Sequence, residues 1–215
     1  MMYEATGRLL LTPVDRDASA RVRRLRELGL GERPEPGLDA FADRLARIMD
    51  TPYAMVNFLD EHGQFYAGLH APEGGLHAPE GGRHAPEGGP APAEPLAGVI
   101  APDESAPGGV PERRVARERG YCPHVVARGK ALVLEDVADY PRFAGNPVVD
   151  ELGIRSYLGA PLIDRTGIAL GTVCVADVEP RPWGRPGLDT IKSTAAELTE
   201  RIHRREAEGE PGAPW

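Results

Sequence analysis

Cysteine is scarce. The 215 residues hold two, Cys122 and Cys174, and neither lies in a Cys-x-x-Cys pair. That excludes a disulfide framework and a closely spaced zinc motif. Long apolar runs are missing as well: no stretch approaches the roughly 20 apolar residues that span a bilayer. The N-terminus has no basic segment leading into an apolar run of signal-peptide length. There is no clustered basic stripe either. Formal charge is 25 − 33 = −8 and the pI is about 5.3, which argues against nucleic acid and anionic membrane as partners. The densest basic runs, Arg21 to Arg26 and Arg201 to Arg205, read as solvated helix faces. The expectation is a soluble, cytoplasmic chain.

What is present supports one core. Hydrophobic residues make up 41% of the chain, enough for a single solid domain. Ala18, Val22, Leu25 and Gly29 fall at helical spacing and predict a first helix over Ala18 to Leu28. Pro34 and Pro36 break the chain. A second helix follows Gly37, with Leu38, Phe41, Leu45 and Ile48 on its apolar face. Tyr53 to Leu59 is rich in strand formers, Asp60 to Gly63 is a turn, and Gln64 to Ala67 returns as a hairpin partner. On the first strand Tyr53, Met55, Asn57 and Leu59 share one face, and Ala54, Val56 and Phe58 share the other.

The composition then changes. Leu69 to Gly75 reads LHAPEGG, Leu76 to Gly82 repeats it, and Arg83 to Gly89 repeats it with one change. Residues 70–111 hold nine prolines and nine glycines, a composition that cannot build a core. This predicts a disordered insert expanded by tandem duplication. The three repeat histidines could assemble a metal site only at high entropic cost, so a spacer is the preferred reading.

After the insert, Glu112 to Arg119 suggests a short charged helix. Pro123 to Ala127 reads as a helix stopped by Gly129, Ala131 to Leu134 as a strand, and Pro147 to Leu152 as a helical turn ended by Gly153. Ile154 to Ile163 and Ile168 to Ala176 form a long hairpin. Leu188, Ile191, Ala195, Leu198 and Ile202 step by 3 and 4 along a last amphipathic helix. The tail to Trp215 is polar and Gly/Pro-containing, which predicts fraying. The organisation is thus an N-terminal extension with first helix (1–37), a main domain (38–206) and a flexible tail (207–215).

Cys122 is the most interesting side chain. Pro123 suits a first helical position, so Cys122 stands near a helix start, where the helix field and His124 would lower a thiol pKa. The plainer reading is a small buried side chain, because Tyr121, Val125 and Val126 make the turn apolar. Cys174 lies mid-strand with Thr172 and Ala176 on its face, and packing is its default role. Cys122, His124 and Cys174 lack close metal-ligand spacing, so no metal is assigned. Asp136, Arg142, Asn146 and Arg155 stand near strand ends or turns. Each suits either ligand orientation or loop bracing, of which Asp-to-Arg bracing is the commoner. Phe58, Tyr157 and Leu158 offer apolar and aromatic pocket lining.

Two stretches carry a resemblance. Tyr121-Cys122-Pro123-His124-Val125-Val126 looks like an aromatic-Cys-x-His-apolar helix start, and Pro141-Arg142-Phe143 through Asp177 closely resembles the second half of a GAF domain. Arg24 to Ile48 and Tyr53 to Leu69 are similar to that family's opening helices and first hairpin. The resemblance implies an α+β fold, a central antiparallel sheet flanked by helices, here with the Pro/Gly-rich insert. It implies a pocket lined by Phe58, Cys122, His124, Asp136, Arg142, Phe143, Asn146, Arg155, Tyr157 and Cys174, with Arg142 and Phe143 over its mouth. Since the Cys174 strand runs beside the pocket, a Cys122–Cys174 redox couple is admitted, although a reducing cytoplasm argues against a standing disulfide. The expected function is a non-catalytic sensory module that binds an unidentified small ligand or senses redox state. Such a module dimerises through its first and last helices and signals to a separate protein. No cofactor is identified. Other readings stay open: a thiol enzyme like the free methionine sulfoxide reductases, a bilin photoreceptor, a cyclic-nucleotide binder, and a scaffold whose pocket is filled by side chains.

Overall fold

The computed structural model describes residues 13–60, 63–72, 113–209 and 215. Most of the repeat insert, residues 1–12 and most of the tail lie outside the described residues, and so do the readings made for them.

Amphipathic patterning places the first two helices where expected. Helix α1 (Ala18–Leu28) stops at Gly29 in the left-handed conformation, and α2 (Pro36–Met49) starts on a proline at its first position. Strands β1 (Tyr53–Leu59) and β2 (Gln64–His70) form the first hairpin. Beyond the insert, Arg114–Val115 is not helical: it is a two-residue strand, β3, paired with Gln64 and Phe65. Its Arg114 is exposed and its Val115 half-buried, and the pairing protects the edge of β2. Then come α3 (Cys122–Arg128), β4 (Leu132–Leu134), a 3₁₀ turn over Val137–Asp139, α4 (Pro141–Ala144), α5 (Pro147–Leu152), β5 (Ser156–Ile163), β6 (Ala169–Asp177) and α6 (Gly184–Ala207).

The six strands form one antiparallel sheet in the order β3-β2-β1-β6-β5-β4. The buried central strands β1 and β6 separate two cores, because successive side chains on each strand point to opposite faces. On one face Ala54, Val56, Phe58, Leu158, Val173 and Val175 pack against α1, α2 and α6. On the other, Tyr53, Met55, Tyr66, Tyr157 and Cys174 pack against the segment from α3 to α5.

The α6 stripe covers the sheet: Ile191, Ala195, Leu198 and Ile202 are buried there, and each large aliphatic group contributes about 1.5–3 kcal/mol. The basic run of α1 is solvated only in part: Arg23 and Arg26 are exposed, but Arg21 and Arg24 turn inward. Arg21 is 1% exposed and Arg24 is 7% exposed. Arg21 pairs with Asp15 and donates to the Leu59 carbonyl at 3.0 Å. Arg24 reaches Asp164 at 2.5 Å and Glu206 at 2.7 Å, tying α1 to the β5–β6 turn and to the end of α6. These carboxylates are distant in sequence, and they supply the pairing a buried guanidinium requires. Trp215 also packs inward, with Arg205 4.4 Å from its ring centre.

Candidate functional site

Cys122 is the first residue of α3, whose second residue is Pro123. Cys174 faces it from the middle of β6, paired with Met55 on one side and Gly159 on the other. The two sulfurs are 3.7 Å apart, and both are free thiols. Cys122 is 4% exposed and Cys174 is fully buried.

A third group is aimed at them. The Tyr157 hydroxyl lies 3.4 Å from the Cys122 sulfur. Its direction depends on Gly159, two residues along the same strand face. A Cβ on Gly159 would collide with the Tyr157 ring and hydroxyl, so the missing side chain lets the ring lie along β5 toward α3.

These groups share their protons unevenly. The hydrogen bond with Cys174 lowers the Cys122 pKa against the opposing effect of burial, and hydrogen bonds from Thr172, Tyr157 and Asn57 add to the lowering. Cys174 moves the other way, raised by its hydrogen bond with Cys122 and by its own burial. Burial pushes the Tyr157 hydroxyl well above its ordinary value, so it stays protonated and remains a donor to a thiolate. Of the pair, Cys122 is thus the thiol that deprotonates more readily and Cys174 the one that holds its proton more tightly.

Around them lies a small, half-open cavity of about 40 Å³, lined by Tyr53, Met55, Tyr66, Tyr121, Val148 and Leu152 as well as the two cysteines and Tyr157. Side chains fill nearly all the space between sheet and helices. Gly120, half-buried with φ 82°, also borders the cavity. Asn146 fixes this residue in place: its Oδ1 accepts from Gly120 N–H at 2.9 Å and its Nδ2 donates to the Gly120 carbonyl at 2.9 Å.

The ten residues expected at a pocket are divided among several places. Cys122, Tyr157 and Cys174 come together. Phe143 and His124 do not line the cavity and form a second layer behind Tyr121: Phe143 meets Tyr121 edge-on at 5.8 Å and His124 at 5.0 Å. Asn146 braces the loop. Asp136 and Arg155 form a forked ion pair at 2.6 and 3.2 Å, and Asp136 also accepts from Ala138 N–H. Arg155 holds the Asp136 carboxyl below its usual range. Arg142 is exposed beside the Phe143 ring. Phe58 and Leu158 lie on the opposite face, in the core beneath α1, α2 and α6, because β1 and β5 alternate and their register sends Met55 and Tyr157 toward the cysteines.

Sequence reasoning missed Tyr66, Val148 and Leu152 in the wall. It also missed Asn57 and Gln64, both buried, which join side chain to side chain at 2.9 Å. Gln64 then donates to the Ala116 carbonyl at 3.0 Å, holding the loop ahead of Cys122. A polar residue within Tyr53 to Leu59, an otherwise apolar strand, was the available signal. Among the described residues, no three His, Cys, Asp or Glu side chains converge as metal ligands, and no helix is long and apolar enough to cross a membrane.

The sequence matches the GAF domain profile over residues 33–202. A cyclic di-GMP phosphodiesterase of Pseudomonas aeruginosa is 34% identical over 97 residues, 44% of this chain and 16% of that protein; the match spans about a sixth of that relative's length. The GAF domain of an Acinetobacter phosphoenolpyruvate-protein phosphotransferase superposes with a TM-score of 0.52 at 16% identity, covering 91% of this chain and 99% of that one. A free methionine-R-sulfoxide reductase from Neisseria meningitidis gives 0.52 at 16% identity, covering 94% and 99%. At these identities the structural likeness concerns the fold.

Proposed function

The chain belongs to the GAF domain family, which is consistent with a regulatory role, and from the interior of its pocket we propose that the signal it reads is the redox state of Cys122 and Cys174. The observation that carries this reading is two free sulfurs 3.7 Å apart across a cavity of about 40 Å³. Disulfide formation needs the sulfurs to approach by about 1.7 Å, a shift that a seven-residue helix bordered by loops can make. Burial keeps adventitious thiols away from the pair, and the asymmetric protonation supplies one attacking sulfur and one that resolves the product.

Cavity size weighs against the other small-molecule readings. A volume of about 40 Å³ is far below the roughly 300–1,000 Å³ of ordinary ligand pockets. A methionine sulfoxide, a cyclic nucleotide or a bilin would each have to displace several wall residues.

Relay follows from position. Helix α3 packs on β5 and β6, and the residues after it, Gly129 and Lys130, border a groove whose far wall is α6. Drawing Cys122 toward β6 moves that border, giving a separate signalling protein a surface that differs between the two states. Assembly of two copies through α1 and α6 would use their outer faces, because the apolar stripe of α6 is occupied by the sheet.

The test is intact mass spectrometry of the folded protein before and after mild peroxide and after added reductant. Loss of two hydrogens, reversed by reductant and abolished in Cys174→Ser, is the expected result. A folded chain that stays fully reduced under conditions that oxidise its unfolded form refutes the reading.

A further inference from the structure

We propose that the oxidant read by this pair is hydrogen peroxide itself, admitted by size, and that alkyl hydroperoxides and bulky disulfides are shut out. This rests on the redox reading above and adds the identity of the reactant.

Three observations lead to it. The free space at the sulfurs is about 40 Å³, against roughly 300–1,000 Å³ for ordinary ligand pockets. Hydrogen peroxide, with two heavy atoms, suits so small a space, and a tert-butyl group crowds it. Second, the walls are large and interlocked: Tyr121 meets Tyr157 at 5.2 Å and Phe143 at 5.8 Å. Third, the cavity suits a polar guest. Tyr121 lines it, and its buried hydroxyl has no hydrogen-bond partner among the described residues, a deficit that a small hydroxylic molecule makes good. Access is by way of Gly120, the half-buried residue of the lining held by Asn146.

The chemistry closes without a further reactant. The Cys122 thiolate attacks one peroxide oxygen, the O–O bond breaks, and hydroxide leaves and takes a proton to become water. Cys122 is then a sulfenic acid. The Cys174 sulfur attacks the Cys122 sulfur, the S–S bond forms, the S–O bond breaks, and a second water departs with the Cys174 proton. Two thiols have given up two electrons and one peroxide has accepted them. Cys122 attacks because it is the less deeply buried residue of the pair and the one whose sulfur faces the Tyr157 hydroxyl.

Stopped alkylation and intact mass would give disulfide formation rates for hydrogen peroxide and tert-butyl hydroperoxide, on the folded protein and on the same protein in urea. The unfolded chain supplies the intrinsic ratio of the two oxidants. In the folded protein the preference for hydrogen peroxide should exceed that ratio by about tenfold, equivalent to about 1.4 kcal/mol of added barrier for the bulkier oxidant, because extra carbons must be forced into packed space. Leu152→Ala, or Val148→Ala if the first variant is poorly folded, widens the cavity and should shrink the preference. Equal preference in folded and unfolded protein overturns the size filter and leaves the redox reading standing. A folded chain that forms no disulfide with either oxidant overturns the redox reading itself.

Discussion

His124 should make the protein acid-sensitive in a window where few carboxylates titrate. It sits on α3, 8% exposed, against the edge of Phe143. Burial, together with the positive charges of Arg142 and Arg128, lowers its pKa from 6.5 to about 4. A depressed histidine is neutral when folded, whereas the unfolded chain takes up a proton below pH 6.5. Folding therefore loses free energy as pH falls from about 6.5 toward 4, and the loss levels off once both states are protonated. At pH 5 the difference amounts to about 2 kcal/mol, and partial solvent access there brings the readable effect to roughly 1 kcal/mol. Urea unfolding of the wild type and of His124→Gln at pH 7.5 and pH 5 isolates it. Whatever the substitution costs at pH 7.5, the gap between the two proteins should narrow at pH 5, because the variant cannot take up the proton. A gap independent of pH would falsify the account of His124 as a buried neutral residue.

Two further expectations concern the dithiol. Closing Cys122 to Cys174, 52 residues apart, removes loop entropy from the unfolded chain worth about 4 kcal/mol. The peroxide-treated protein should accordingly melt several degrees higher than the reduced one, while Cys122→Ser shows no such gain; an oxidised form that melts lower would mean that closure strains the fold. Gly159→Ala places a methyl group where the Tyr157 ring and hydroxyl lie, and should cost about 1–3 kcal/mol by overpacking. It should also slow peroxide oxidation, because the donor to Cys122 is displaced; unchanged oxidation in a folded Gly159→Ala protein would remove Tyr157 from the site.

The division between sequence and structure follows from range. Local patterns were legible: the 3.6-residue period of α1, α2 and α6, the alternation of β1, the proline that begins α3 and the glycine that ends it are written in neighbouring residues. The GAF-like order of elements could be read for the same reason. The charged segment before Cys122 was misread as helix because β3 exists only through its partner, β2.

Alternation alone said that Phe58 and Met55 point opposite ways on β1. Only the pairing of Met55 with Cys174 decided which of them faces the thiols. Burial of Arg21 and Arg24 depended on the Leu59 carbonyl, Asp164 and Glu206 arriving from elsewhere in the chain. The sequence by itself determined that two cysteines would stand at a helix start and in a central strand of a GAF-type sheet. Tertiary packing alone set their sulfurs 3.7 Å apart and filled the pocket around them with tyrosine, valine and leucine. Free volume belongs to no residue: it is what remains when side chains from six segments have taken their places.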